Sequence, residues 1–360
     1  MANFLTSGGF VVGYYAALIA ASCIAAYYNN RKAFMLLFSL TLVSFVLGIV
    51  GGVPALRGVT IFAGLLALAA GTSYAFKEFL IQISSPGIAK ELRTAPLTAS
   101  FGMFIIFTYA IAGIFAPWIA PHGEAQVISD AFAPADENML LGADQLGRDI
   151  FSRMVFGARN SVGLALLATL LAFFMGAFAG LMAAVKGGWF DQIMGRVADI
   201  IMSVPSLIFA LLMLSIFGTN LAVIVVVVAV IYSPRVFRLT RAVAGNVVVM
   251  DYIEAAKLRG EGDWYLIRKE ILPNSTAPLI AEFGLEFCFV FLLVAGLSFL
   301  GLGIQPPTAD WGSMVRENAT LISFGDMTPL IPAAAIALLT VSVNFVVDWM
   351  LFRSSGLKEM

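Results

Sequence analysis

Charge is scarce in this sequence: of 360 residues, 12% are charged and 60% are hydrophobic. Soluble domains carry about 25% charged residues, so this chain has too few polar groups to cover a surface in water. Mean hydropathy is +0.94, and the solvent it calls for is a bilayer. Histidine is nearly absent, with His122 alone, and there are two cysteines, Cys23 and Cys288. These are too few for a His/Cys metal cage. Both cysteines sit in apolar runs, where a free thiol behaves as a small hydrophobe. The net charge of -1 leaves no basic field for nucleic acid. No G-x-x-x-x-G-K-[ST] sequence occurs, nor any Gly-Lys pair. A phosphate-cradling loop needs both, so the chain is expected to hydrolyse no ATP itself. The first basic residue is Arg31, so Ala21-Ser22-Cys23 lacks the charged n-region that would make it a processing site.

What is present is a series of long apolar runs. A crossing helix needs about 20 mostly apolar residues. Nine runs qualify, at 9–28, 33–53, 58–76, 99–119, 161–185, 194–217, 220–240, 275–300 and 328–352. Basic residues then set the orientation. Arg31 and Lys32, Lys77 with Lys90 and Arg93, Lys186, the Arg235/Arg238/Arg241 group and Arg353 with Lys358 fall on every second side. The N-terminus is thereby expected outside and the C-terminus in the cytoplasm, making a multi-pass inner-membrane protein. The connection at 120–160 tests this rule, because it carries Arg148, Arg153 and Arg159 on the outer side. Three closely spaced spans (1–76) precede a cytoplasmic linker (77–98) with Pro86 and Pro96. A six-span part (99–353) follows, with an outer loop at 120–160 and a charged cytoplasmic loop at 246–273.

That charged loop reads as two short helices. The first, about 250–259, is made of good helix formers and stops at Gly260, a natural C′ residue. The second is capped by Asp263, sets Trp264, Ile267 and Ile271 on neighbouring turns, and ends before Pro273. Taken alone, such a segment also suits an amphipathic loop lying on the membrane.

The residues Glu254-Ala255-Ala256, Leu258, Gly260 and Leu272-Pro273-Asn274 resemble the EAA motif of permease subunits in bacterial ABC importers. Glu270 stands where many members have an aliphatic residue; the peptide-importer branch is more tolerant there. Leu141-Gly142-Ala-Asp144-Gln-Leu-Gly147-Arg148-Asp149, with Ser152-Arg153 and Gly157-Ala-Arg159-Asn-Ser161, resembles the outer-loop signature of dipeptide and oligopeptide permeases. Leu297-Ser-Phe-Leu-Gly-Leu-Gly303, with Pro306-Pro307 and Trp311-Gly312, resembles the end of the penultimate span in the second, or C-type, permease. The resemblance covers about 80–360. It implies an all-α type I ABC importer fold with a six-helix core, here extended by three N-terminal helices. It also implies a second permease, two ATPase subunits that bind ATP and Mg, and an extracytoplasmic solute-binding protein. In that arrangement the 251–268 segment couples to the ATPase, and the outer loops contact the binding protein. The family's substrates include dipeptides, longer peptides, nickel and conjugates, so the cargo stays open.

Polar residues within the spans mark a path or a structural pairing. Glu282 and Glu286, at i and i+4 on one face of the eighth span, are candidates for the translocation path. An ion-coupled transporter would use the same pair as proton carriers, and plain helix–helix hydrogen bonding would place them equally well. Asp199 and Asp348 raise the same question, and Arg353 is the expected partner of Asp348. Pro205 in Met202-Ser-Val-Pro-Ser206 can kink the sixth span, as a hinge or equally as a plain packing irregularity.

Overall fold

The computed structural model describes residues 54–354 without a break, with isolated helical positions before them such as Tyr14, Leu18 and Leu37. The expected spans at 9–28 and 33–53 lie almost wholly outside the described residues. Contacts divide the chain into two units, Met1–Phe79 and Leu80–Met360. The continuous described part of the first belongs to helix α1 (Pro54–Ile83), which covers the run expected at 58–76. Its Thr72 hydroxyl donates to the Leu68 carbonyl at 2.8 Å and its Ser73 hydroxyl to that of Ala69 at 2.5 Å. Such back-bonding lets hydroxyls sit in an apolar helix without water.

The second unit continues with α2 (Pro86–Arg93), α3 (Leu97–Ile114), α4 (Ile150–Lys186), α5 (Gly188–Met202) and α6 (Ser206–Phe217). It closes with α7 (Leu221–Val248), α8 (Asp251–Leu258), α9 (Asp263–Phe299), α10 (Trp311–Asn318) and α11 (Leu330–Ser354). Among the described residues, α3, α4, α7, α9 and α11 are long and apolar enough to cross a membrane, and the bent pair α5 and α6 is so only when taken together, as a broken span or a re-entrant turn. Extended structure among those residues is limited to two isolated bridges, Val127 with Arg148 and Ala143 with Asp149.

The bundle core is drawn together by small residues. Ala165, Ala168, Ala172, Gly176 and Gly180 form a buried stripe on α4 against α7. A Cβ on Gly180 would come within 2.8 Å of the Phe237 carbonyl oxygen, and one on Gly176 would overlap that of Ser233. Close backbone approach through small residues is how helices associate in lipid, where apolar contact alone gives no preference for protein over solvent. Gly102 on α3 sits in the same way against the backbone of Ser342 on α11.

Three segments depart from the expectations. The sixth span is not one kinked helix: α5 and α6 meet at 87°. Pro205 disfavours helical geometry at Val204 and lacks an amide to continue the ladder, so the chain restarts at Ser206. Helix α4 begins at Ile150, inside the connection expected at 120–160, and crosses Arg153 and Arg159. The second short helix of the charged loop does not end at Pro273. It runs into the span as a single helix α9, passing through widened i→i+5 turns at Leu266–Ile271. Such turns absorb the hydrogen bond that Pro273 cannot make.

Candidate functional site

Helix α8 stands at one end of the bundle. Asp251 and Glu254 lie in its first turn and Lys257 in its last, matching the helix dipole. Gly260, with φ +83°, occupies the left-handed C′ position. Its amide donates to the Lys257 carbonyl at 2.9 Å and that of Glu261 to Ala256 at 3.2 Å, a complete Schellman stop. The inward face, Ile253 and Ala256, is sealed with Leu266, Ile267 and Ile271 of α9, Leu181 of α4 and Ala244 of α7. The outward face is open and mixed, with Asp251, Glu254 and Lys257 beside Tyr252, Ala255 and Leu258; Leu258 is 84% exposed, and Val249 before the helix and Trp264 on α9 flank it at 78% and 61%. Glu254, Ala255 and Gly260 are also exposed, as are Leu272 and Pro273 on α9. Ala256 alone among these motif residues lies in the seam. Asp263 does not cap α9; Gly262 holds that position, without a side-chain bond.

The residues 120–149 and 301–325 meet at the opposite end. Asp144 accepts from the Arg148 Nε at 2.7 Å and faces the Arg153 Nε at 3.3 Å. Glu317 of α10 takes the other end of both guanidinium groups, at 3.0 Å from Arg148 and 3.2 Å from Arg153. All four charges are enclosed. Two cations with two anions is the composition a dry site tolerates. Asp149 caps α4, accepting from the amides of Phe151 and Ser152 at 3.2 and 3.0 Å, and from the Ser152 hydroxyl. Gly142 and Gly147, at φ +76° and +75°, turn the loop on either side of Asp144.

This cap locks onto the segment after α9. Glu124 Oε2 accepts from the Asn160 amide at 2.9 Å and the Ala309 backbone amide at 2.8 Å. The Ser161 hydroxyl donates to Asp310 at 2.7 Å and accepts from the Trp311 amide at 3.0 Å. The Trp311 indole donates to the Met154 carbonyl at 2.9 Å and abuts Gly157, where a Cβ would overlap its ring. Burial pushes the Asp310 carboxyl above the usual aspartate range, opposed by hydrogen bonds from Ser313 and Ser161. Gly142, Asp144, Gly147, Arg148, Asp149, Ser152 and Arg153, singled out in the sequence, therefore gather in one place, and the charged members among them point inward. Glu317, Glu124 and Asp310 complete the cap and were not singled out. Local spacing carries no signal for them, because Glu317 and Asp310 meet this loop only through the fold.

Between the two ends, Glu282 is half-buried and Glu286 buried on α9, and one Glu286 oxygen has no hydrogen-bond partner. Arg235 of α7 lies near both, with its guanidinium 4.9 Å from the ring centre of Phe289 and 5.7 Å from that of Tyr232. Helix α7 runs to Val248, so the three arginines read as closing a span are inside it. Arg238 pairs with Asp199, and Arg241 with Asp191 at 2.5 Å. Arg353 pairs with Glu91 of α2 at 2.7 Å, not with Asp348.

Residues 176–354 match the model of the family described as binding-protein-dependent transport system inner membrane component. The di/tripeptide transport system permease protein DppC of Pseudomonas aeruginosa is 32% identical over 254 residues, spanning 69% of this chain and 84% of that one. The probable D,D-dipeptide transport system permease protein DdpC of Escherichia coli is 33% identical over 258 residues, 71% of this chain and 86% of its own. The glutathione transport system permease protein GsiD of Pectobacterium atrosepticum is 33% identical over 253 residues, 69% and 82% of the two chains. The chain belongs to the family of inner-membrane permease components of binding-protein-dependent ABC transport systems.

Proposed function

We propose that this chain is the C-type permease of an ATP-driven importer of short peptides. It forms the translocation path with a second permease, and two cytoplasmic ATPase subunits bind ATP and Mg and supply the energy. An extracytoplasmic binding protein delivers the peptide to the loop cap. The N-terminus lies outside and the C-terminus in the cytoplasm, which puts α8 on the ATPase side, in agreement with the basic residues around it.

The observation that carries this reading is the two-faced build of α8. Its inner face is welded to α4, α7 and α9, while its outer face presents Leu258 to solvent, flanked by the exposed Val249 and Trp264 of the adjoining segments. Exposed apolar side chains at a polar end of a membrane protein mark a protein interface. A push on that face reaches three spans at once, and this is what a rigid-body switch requires. Glu254, Ala255 and Leu258 make the contact, Gly260 sets the turn, Ala256 holds α8 to α9, and Leu272 and Pro273 open the span behind it. The charged residues of the outer-loop signature act as a scaffold that shapes the cap. The peptide cargo is supported by the relatives' substrates and by the Glu282/Glu286 pair.

The test is a pull-down of the tagged chain in mild detergent. Recovery of a second permease and an ATPase is expected. A functional homo-oligomer with no ATPase contradicts the reading.

A further inference from the structure

Arg235 is an exposed cation midway along α7, and among the described residues it makes no ion pair within 4.0 Å. Two carboxylates stand near it, also unpaired. Helices α7 and α9 run antiparallel, and the Tyr232 hydroxyl donates to the Phe289 carbonyl at 3.1 Å. This register puts Arg235 level with Glu286, and Glu282 one turn closer to α8. Ionisable groups inside spans are costly and face a partner or a wet path. Here the guanidinium is held over two aromatic faces and not on a carboxylate. One Glu286 oxygen is sealed with nothing to accept from, in a residue that is only 2% exposed. A buried acceptor left open is expensive and calls for a donor.

We infer that Arg235, Glu282 and Glu286 form a site for the zwitterionic ends of a short peptide in transit. The guanidinium takes the peptide carboxylate, for which its planar fork is suited. The accessible Glu282 takes the ammonium group, and Glu286 behind it deepens the negative potential. The dimensions agree: one helical turn separates the levels of Arg235 and Glu282 by about 5.4 Å, and an extended dipeptide spans about 7 Å. Tyr232 and Phe289 keep the guanidinium from collapsing onto the glutamates when the site is empty. The inference rests on the peptide-permease reading and adds where, and by which ends, the peptide is read.

The test uses the whole permease–ATPase complex in nanodiscs without binding protein, so that selection by that subunit is absent. Equilibrium binding is measured for Ala-Ala, N-acetyl-Ala-Ala and Ala-Ala-amide. Wild type is expected to bind Ala-Ala at least tenfold tighter than either blocked form. Arg235→Gln abolishes the preference over the amide only, and Glu282→Gln the preference over the acetylated form only. Equal binding of all three probes, no binding of Ala-Ala, or unchanged preferences in both variants overturns the site. ATP-driven uptake of Ala-Ala with binding protein present separates the two claims. Where uptake persists but the preferences are absent, the site fails and the peptide reading stands; where uptake is absent, the peptide reading itself fails.

Discussion

Arg148 and Glu317 are 169 residues apart in sequence, yet their side chains meet at 3.0 Å inside the loop cap. Arg153 reaches the same Glu317 oxygen at 3.2 Å, so one carboxylate closes two buried guanidinium groups. Glu317→Gln leaves those cations under-compensated. Breaking a buried pair from one side costs about 3–5 kcal/mol. The variant is expected to show a lower thermal midpoint and faster proteolysis within 120–149, measured on purified protein in detergent. Unchanged proteolysis would mean that the cap is held by something else.

Asp310 gives the cap a pH dependence. Its carboxyl is raised above the ordinary aspartate range by burial, so the folded state holds the proton more tightly than the unfolded one. The stability this contributes is full below the ordinary aspartate range and falls as pH rises through the raised value. Asp310→Asn removes the titration while keeping an acceptor for Ser161 or Ser313. Thermal midpoints of wild type and variant are expected to converge at low pH, with the variant gaining relative to wild type as pH rises. A gap that does not change with pH would contradict the assignment.

Gly157 separates packing from propensity. A Cβ there overlaps the Trp311 indole, whereas one on Gly163, on the same helix, meets nothing within 4 Å. Gly157→Ala is expected to cost about 1–3 kcal/mol by overpacking. Gly163→Ala should be neutral or stabilising by about 0.5–1 kcal/mol. Chemical or thermal unfolding of the two variants side by side decides it.

Gly260 is constrained by its backbone and not by space, since its Cβ would also meet nothing within 4 Å while φ is +83°. A branched residue in the left-handed region costs about 1–2 kcal/mol, and Asn visits it far more readily. Gly260→Leu is expected to abolish transport with membrane insertion intact, and Gly260→Asn to retain most of it. Equal uptake by both variants at equal expression would remove the Schellman stop from the mechanism.

The spans of 80–354 and the α8 turn were legible because their signals are local: an apolar run, a helix stop, a proline. Pro205 announced a break whose 87° angle no local signal fixes. The first turns of α4 were hidden, because Arg153 and Arg159 interrupt the hydropathy that marks a span. Arg153 is neutralised by Glu317 and Asp144, and that long-range pairing has no spacing to betray it. Arg235 was hidden for a related reason. Read with Arg238 and Arg241 it looked like the end of a span, until α7 proved to continue to Val248. The residues of the outer-loop motif gather at the cap, but their inward orientation needed the fold.

In the proposed importer, ATP-driven movement enters this chain through the outer face of α8. Leu258 is 84% exposed at the tip of that face and outside the buried seam, so Leu258→Asp removes the contact and spares the bundle. The direct measurement is dipeptide uptake into proteoliposomes of the full complex, with ATP as the energy source, for wild type and this variant. Uptake by wild type and its loss in a stably inserted Leu258→Asp is the expected result. Normal ATP-driven uptake by the variant, or uptake driven by a proton gradient with no ATPase present, would contradict the account.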